Sequence, residues 1–185
     1  MSDPGQPDRR GPNRRPSGPK KGTKPAGPAK RFGGMGLRPL AGNDFVLRHP
    51  NCVEEMEPDY EEGMELWRAG EPEDARDALR YALEGCGDNL WVHVALGQIA
   101  LREFNDPTLA RGHFGYAFEL VRQAVPPHFT GRIPIDHPLN HPMYDAIDGL
   151  IACHEALNQP REAEELRRLA AAWSGTSKNR PPAAR

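Results

Sequence analysis

Seven histidines are spread through 185 residues, and the run His137-Pro138-Leu139-Asn140-His141 gives two imidazoles the spacing of ligands one helical turn apart. Asp136, Asp145 and Asp148 lie close by, and Cys153-His154-Glu155 follows a short helix later. A zinc or iron site would need three or four of these side chains to converge. Pro138 and Pro142 deny the helix that would aim His137 and His141 together. His93, His113 and His154 fall inside helical segments, where a structural histidine is the commoner state. A metal-dependent enzyme would have to be built on His137, His141 and His154, and no metal is expected there. Nucleophilic chemistry is no better supplied. Serine is almost absent from the body, no Gly-x-Ser-x-Gly occurs, and Cys52 and Cys153 lack a motif context. Gly33-Gly34-Met35-Gly36 is followed by neither Lys-Ser/Thr nor a helix, so it does not cradle phosphate. The expectation is a chain with no catalytic residues and no cofactor, hence not an enzyme.

Charge is divided unevenly. Residues 1–40 hold ten Lys/Arg against two Asp, with eight Pro and eight Gly; residues 41–174 hold eleven Arg against twenty-four Asp/Glu; residues 175–185 add three basic residues and no acid. The overall −2 therefore conceals a basic arm, an acidic body and a small basic tail. The arm has no large apolar side chain between Met1 and Phe32, and its prolines interrupt any helix, so residues 1–40 are expected to be disordered. Its pairs Arg9-Arg10, Arg14-Arg15, Lys20-Lys21 and Lys30-Arg31 can neutralise phosphates, which makes weak nucleic-acid association the alternative function. With no aromatic before Phe32, stacking on bases is unsupported, and a solvated basic extension is the favoured reading.

No stretch reaches the ~18 apolar residues of a membrane helix, and the N-terminus lacks the apolar core of a secretory signal. Three cysteines (Cys52, Cys86, Cys153) form an odd count without paired spacing. They argue against a disulfide framework. A soluble, cytoplasmic chain without membrane partners is the expectation.

The body must supply whatever positions a site, and its period is helical from Glu54 onward. Tyr60, Met64, Leu66 and Trp67 punctuate an acidic stretch that stops at Gly70. Glu71-Pro72-Glu73-Asp74 then starts a helix bearing Ala75, Leu79, Ala82 and Leu83, since proline and acids suit a first turn. Asp88 or Asn89 can cap a third helix, and Asn105-Asp106-Pro107 separates it from a fourth. Met143 to Leu157 and Arg161 to Trp173 make a last pair around Asn158-Gln159-Pro160. The pairs are expected over about 55–87, 89–124 and 143–173, with a disordered tail over 175–185. No useful segment alternates with the period of two that a strand requires, so the body is read as all-α. Residues 125–142 carry five prolines that preclude a helix, but also Phe129, Ile133, Ile135 and Leu139, which predicts an ordered loop lying over the helices.

The helices recur. Gly63 and Gly97 are 34 residues apart, as are Arg68 and Arg102; Leu66 matches Ala100. Ala75/Leu79/Ala82 match Ala110/Phe114/Ala117 once a one-residue insertion near Asn105 is allowed. Ala69-Gly70-Glu71-Pro72 parallels Leu157-Asn158-Gln159-Pro160. On these residues, and on Leu96-Gly97, the chain resembles the tetratricopeptide repeat (TPR) family over about two and a half repeats. It departs at Glu62, Ile151 and Arg167, where an apolar, a small and an aromatic residue are usual. The resemblance implies an all-α, right-handed superhelix of antiparallel helix pairs, whose first helices line a concave surface for a protein or peptide partner. Carried over by position, that surface would offer Tyr60, Met64, Trp67 and Arg68 from the first pair, and Trp91, Gln98 and Arg102 from the second. The Lys/Asn set with which chaperone-binding members grip carboxylates is replaced here by Tyr60, Met64 and Ala95. Exposed helix faces at the ends of so short an array leave self-association open. A non-catalytic adaptor or scaffold is the expected function.

Overall fold

The computed structural model describes residues 34–175. Most of the basic arm and all but the first residue of the tail lie outside that range, so the expected disorder at either end is not addressed by it.

Six helices form three consecutive antiparallel pairs: α2 (Glu57–Arg68) with α3 (Pro72–Gly85), α4 (Leu90–Arg102) with α5 (Pro107–Ala124), and α6 (His141–Ala156) with α7 (Pro160–Ser174). A single turn, α1 (Cys52–Glu55), precedes them. Each hairpin turn is built alike. A residue in the left-handed region (Gly70 φ 84°, Asn105 φ 49°, Asn158 φ 58°) stands two positions before the proline that opens the second helix. Glycine and asparagine tolerate that backbone best, and a proline at a helix start loses no hydrogen bond it would have made. Glu71 N–H donates to the Leu66 carbonyl and Gln159 N–H to that of His154, five residues back. In the middle turn Asp106 N–H reaches Ala100, six residues back. That extra residue is the insertion expected near Asn105.

The small residues do the packing the period implies. A Cβ at Gly63 would sit 2.6 Å from Leu79 Cγ, and one at Gly97 would sit 2.7 Å from ring carbons of Phe114. The same contact is thus made twice, first helix against second, within each of two adjacent pairs. Ala75, Leu79, Ala82, Ala110, Phe114 and Ala117 are all buried. Phe114 is also pressed against Gly149 on α6, so the second and third pairs interlock through one ring. Asn89 caps α4, its Oδ1 accepting from Trp91 and Val92 N–H, and Asp106 caps α5 in the same way.

Three expectations are corrected. The body is not purely helical: β1 (Gly36–Pro39) and β2 (Phe45–Arg48) form an antiparallel ribbon, with Leu37 opposite Leu47 and Arg38 opposite Val46. Four-residue strands are too short to show a convincing alternation, and this ribbon owes its place to packing: Leu47 is wholly buried in the main core and Leu37 lies against it. Within the segment 1–40 expected to be disordered, residues 36–39 form β1. Finally, Cys52 and Cys86 are joined by a disulfide, Cα–Cα 5.4 Å, leaving Cys153 as the free, buried thiol. An odd cysteine count does not exclude one bridge.

The long connection, expected to hold no helix, carries a 3-10 turn (Pro138–Asn140) and the first turn of α6 at its proline-rich end. Ile133 is fully buried. Its N–H donates to the Trp173 carbonyl, while its own carbonyl accepts from Tyr144 Oη. Phe45 N–H donates to the Arg132 carbonyl (2.7 Å), Arg132 N–H to that of Asn43 (2.8 Å), and Phe45 stacks edge-on against Phe129. Asn140, completely buried, accepts from Leu47 N–H at 2.9 Å and donates to the Pro134 carbonyl at 2.9 Å. One amide side chain thus satisfies backbone groups of two elements that would otherwise be buried unpaired. No described helix is long and apolar enough to cross a membrane.

Candidate functional site

Beyond β2 the chain runs through His49-Pro50-Asn51 into α1, and this segment frames a concavity. The disulfide fixes its place, tying the first residue of α1 to the residue that ends α3. His49 lies over Trp91 at the start of α4, ring centroids 4.1 Å apart. Its Nε2 is 2.7 Å from the Leu139 carbonyl. A carbonyl only accepts, so Nε2 carries the proton and Nδ1 is a lone pair. That Nδ1 is enclosed and has no partner among the described residues. Burial lowers the His49 pKa, against the opposing pull of the Leu139 carbonyl, and keeps the ring neutral.

The resulting groove has a volume of about 580 Å³, within the range of cavities that take drug-sized ligands. The ribbon supplies Arg38, Leu47 and Arg48; α1 and α2 supply Val53, Glu54, Glu57, Tyr60 and Glu61; Asn89, Trp91 and Leu139 complete it. Burial pushes the Tyr60 phenol above its ordinary pKa, with the Glu61 and Asp145 carboxylates adding to the effect and Arg68 opposing it. Tyr60 is therefore a neutral hydroxyl, available as donor and acceptor, beside an acidic edge.

Of the seven residues expected to meet a partner, the groove brings together Tyr60 and Trp91. Met64 and Trp67 instead pack against the cluster of Ala75, Leu79, Val92 and Leu96. Trp67 Nε1 also donates to Glu103 at 2.9 Å, tying α2 to the end of α4. Arg68 is exposed and 3.9 Å from Glu61. Gln98 is half-buried, and Arg102 is exposed near the end of α4. The groove-lining residues that repeat reasoning does not reach are Arg38, Arg48, His49, Asn51, Val53 and Leu139, all outside the recurring helices. Their only advance signal is the apolar content of residues 125–142, which foretells that something must lie over the helices.

The histidine-rich run does not assemble a metal centre: among the described residues no three His, Cys, Asp or Glu side chains are placed to hold an ion. His137 Nδ1 accepts from Leu139 N–H as the cap of the 3-10 turn, and His154 Nδ1 bonds to Gln159 Oε1 at 2.8 Å. Burial raises the Cys153 thiol pKa, which leaves it a poor nucleophile. A second histidine pair does form. His93 Nε2–H donates to the Gly87 carbonyl (2.9 Å), so its Nδ1 can only accept, and His113 Nδ1 lies 3.4 Å from it. Burial, then the neighbouring His93 and Arg80, lower His113 to a pKa of about 4. Both rings are neutral near pH 7, and the Tyr116 ring lies 4.7 Å from that of His93.

No protein-family model matches the chain, and no curated protein matches it. The functional reading rests on the repeat-like packing of helix pairs and on the groove itself.

Proposed function

We propose that this protein is a non-catalytic adaptor of TPR-like construction that binds a peptide or protein segment in the groove between its ribbon and its first helices. The observation that carries this is the meeting of Tyr60 from α2 and Trp91 from α4 in one concavity that charged residues also line. Aromatic anchors in a pocket with a polar rim are the usual composition of a binding hot spot. The duplicated Gly63–Leu79 and Gly97–Phe114 contacts support the TPR-like reading, because close helix approach through small residues is what gives such arrays a lined inner face.

The test is selection of peptides from a random display library against the full chain, with Tyr60→Ala and Trp91→Ala as counter-selections. Selected peptides should lose about tenfold or more in affinity to either variant, the loss of one anchor of ~1.4 kcal/mol. Peptides that bind both variants as well as the parent would refute the site. Phosphate contact through the basic pairs of residues 1–40 is the other reading. It predicts a steep fall in nucleic-acid binding with salt, abolished by deleting those residues. The Cys52–Cys86 bridge weighs against the cytoplasmic location expected from composition, since disulfides persist chiefly in oxidising compartments.

A further inference from the structure

The groove is lined by charge of both signs, arginines from the ribbon and carboxylates from α1 and α2. In the ribbon's register Arg48 is opposite Gly36 and Arg38 opposite Val46, which puts both arginines on the same face, diagonal to each other. Leu37 and Leu47 take the other face, toward the core. The missing side chain at Gly36 lets the Arg48 guanidinium lie across the ribbon: a Cβ there would be 3.3 Å from Arg48 Nη2. Two like charges on one small face disfavour each other, and neither has a carboxylate partner among the described residues. From α1 and α2 come Glu54, Glu57 and Glu61; among the described residues Glu61 has Arg68 at 3.9 Å, and Glu54 and Glu57 have no ion-pair partner. Tyr60, Trp91, Val53 and Leu139 contribute aromatic and apolar surface to the same groove. His49, which also lines it, keeps an enclosed acceptor without a donor among the described residues.

We infer that the occupant is a peptide segment of mixed charge: a carboxylate meets Arg38 and Arg48, apolar side chains cover Tyr60 and Trp91, and a Lys or Arg side chain meets Glu57 and Glu61. This rests on the groove being the peptide site proposed above. The complementarity restricts which charge meets the ribbon and which meets α1 and α2. A segment with the two charges exchanged would set carboxylate against carboxylate and cation against guanidinium, which is how an interface rejects wrong partners. The carboxylate can come from an Asp or Glu side chain or from a free C-terminus, and the same chemistry serves both.

The experiment uses the full chain and an array of capped octapeptides in which one acidic and one basic residue are walked around an apolar pair. Each is also made in charge-exchanged and all-Gln forms, and with a free or amidated C-terminus. Peptides with the favoured polarity should bind about fivefold better per charge than the Gln forms at low salt, the advantage shrinking as salt rises. Arg48→Gln should remove the preference for the acid and leave that for the base; Glu57→Gln with Glu61→Gln should do the converse. Arg48→Glu should invert the first preference. A gain for the free C-terminus over the amide, lost in Arg48→Gln, identifies the terminus as the carboxylate; no gain identifies a side chain. All substituted positions are exposed, and unchanged circular dichroism and melting temperature confirm folding. Binding that needs Tyr60 and Trp91 but ignores charge order would overturn this inference while leaving the peptide site standing. Failure of every peptide to bind would remove both.

Discussion

Breaking the Cys52–Cys86 bridge tests how the first helix pair is held. The bridge closes a loop over a sequence separation of 34 residues, spanning α1, α2 and α3. Chain-entropy scaling for a loop of that length gives a stabilisation of about 3.8 kcal/mol at 25 °C, an upper figure because reduced chains keep residual structure. Both sulfurs are buried, so substituting them adds a small packing loss. We expect reduction, or a Cys52→Ala/Cys86→Ala double variant, to cost about 2–4 kcal/mol. For a body of this size that is a fall of roughly 10 °C in melting temperature. The assay is urea unfolding of the oxidised and reduced protein, with mass spectrometry and thiol counting to establish the state of all three cysteines. Reduction should also weaken peptide binding, because the bridge sets Val53 and Glu54 against Asn89 and Trp91. Coincident unfolding curves for fully reduced and fully oxidised protein would refute the reasoning.

Other consequences are simpler to check. Gly97→Val should destabilise by about 2–4 kcal/mol in chemical denaturation, since the new side chain meets the Phe114 ring from inside the van der Waals distance. Gly112→Ala, whose added Cβ meets nothing within 4 Å, should be neutral or slightly stabilising by the same measurement. Asn140→Leu should cost about 2–4 kcal/mol, because it strands the buried Leu47 N–H and the Pro134 carbonyl; hydrogen exchange at Leu47 should rise with it. The His93–His113 pair makes the fold acid-sensitive. Both pKa values are lowered in the folded state, so the unfolded chain takes up protons first as pH falls through about 6.5. Stability is full above that value and declines toward the folded His113 pKa of about 4, and His113→Gln should flatten that part of the pH–stability curve.

The repeating part of this fold was legible because it is made by local rules. Gly70, Asn105 and Asn158 each precede a helix-opening proline by two positions, and a left-handed turn residue followed by proline announces itself in any sequence. Gly63 and Gly97 could be matched because each packs on the second helix of its own pair, within a short stretch of chain. The ribbon, the bridge and Asn140 were not legible for the opposite reason. Leu47 and Asn140 are 93 residues apart, and nothing in either neighbourhood names the other. The site inherits both properties. Tyr60 and Trp91 are readable as positions on first helices, whereas Arg38, Arg48 and His49 belong to a strand pair whose place is decided by distant packing. Met64 and Trp67 were expected to face a partner, but Trp67 turns its indole N–H to Glu103 and both side chains cover the core between the first two pairs.

An open stack of helix pairs unravels from whichever end is looser, because each unit is held only by its neighbours. The ribbon changes that circumstance. It precedes the first pair in sequence, yet it is fastened to Arg132 and Asn140 on the approach to the last pair, and Ile133 is fastened in turn to the closing carbonyl of Trp173. The start of the described chain is thereby tied to the approach to the last pair and, through Ile133, to the end of α7. A protein so tied gives way all at once: calorimetric and van't Hoff enthalpies should agree, where an unfastened array of the same helices would melt in stages.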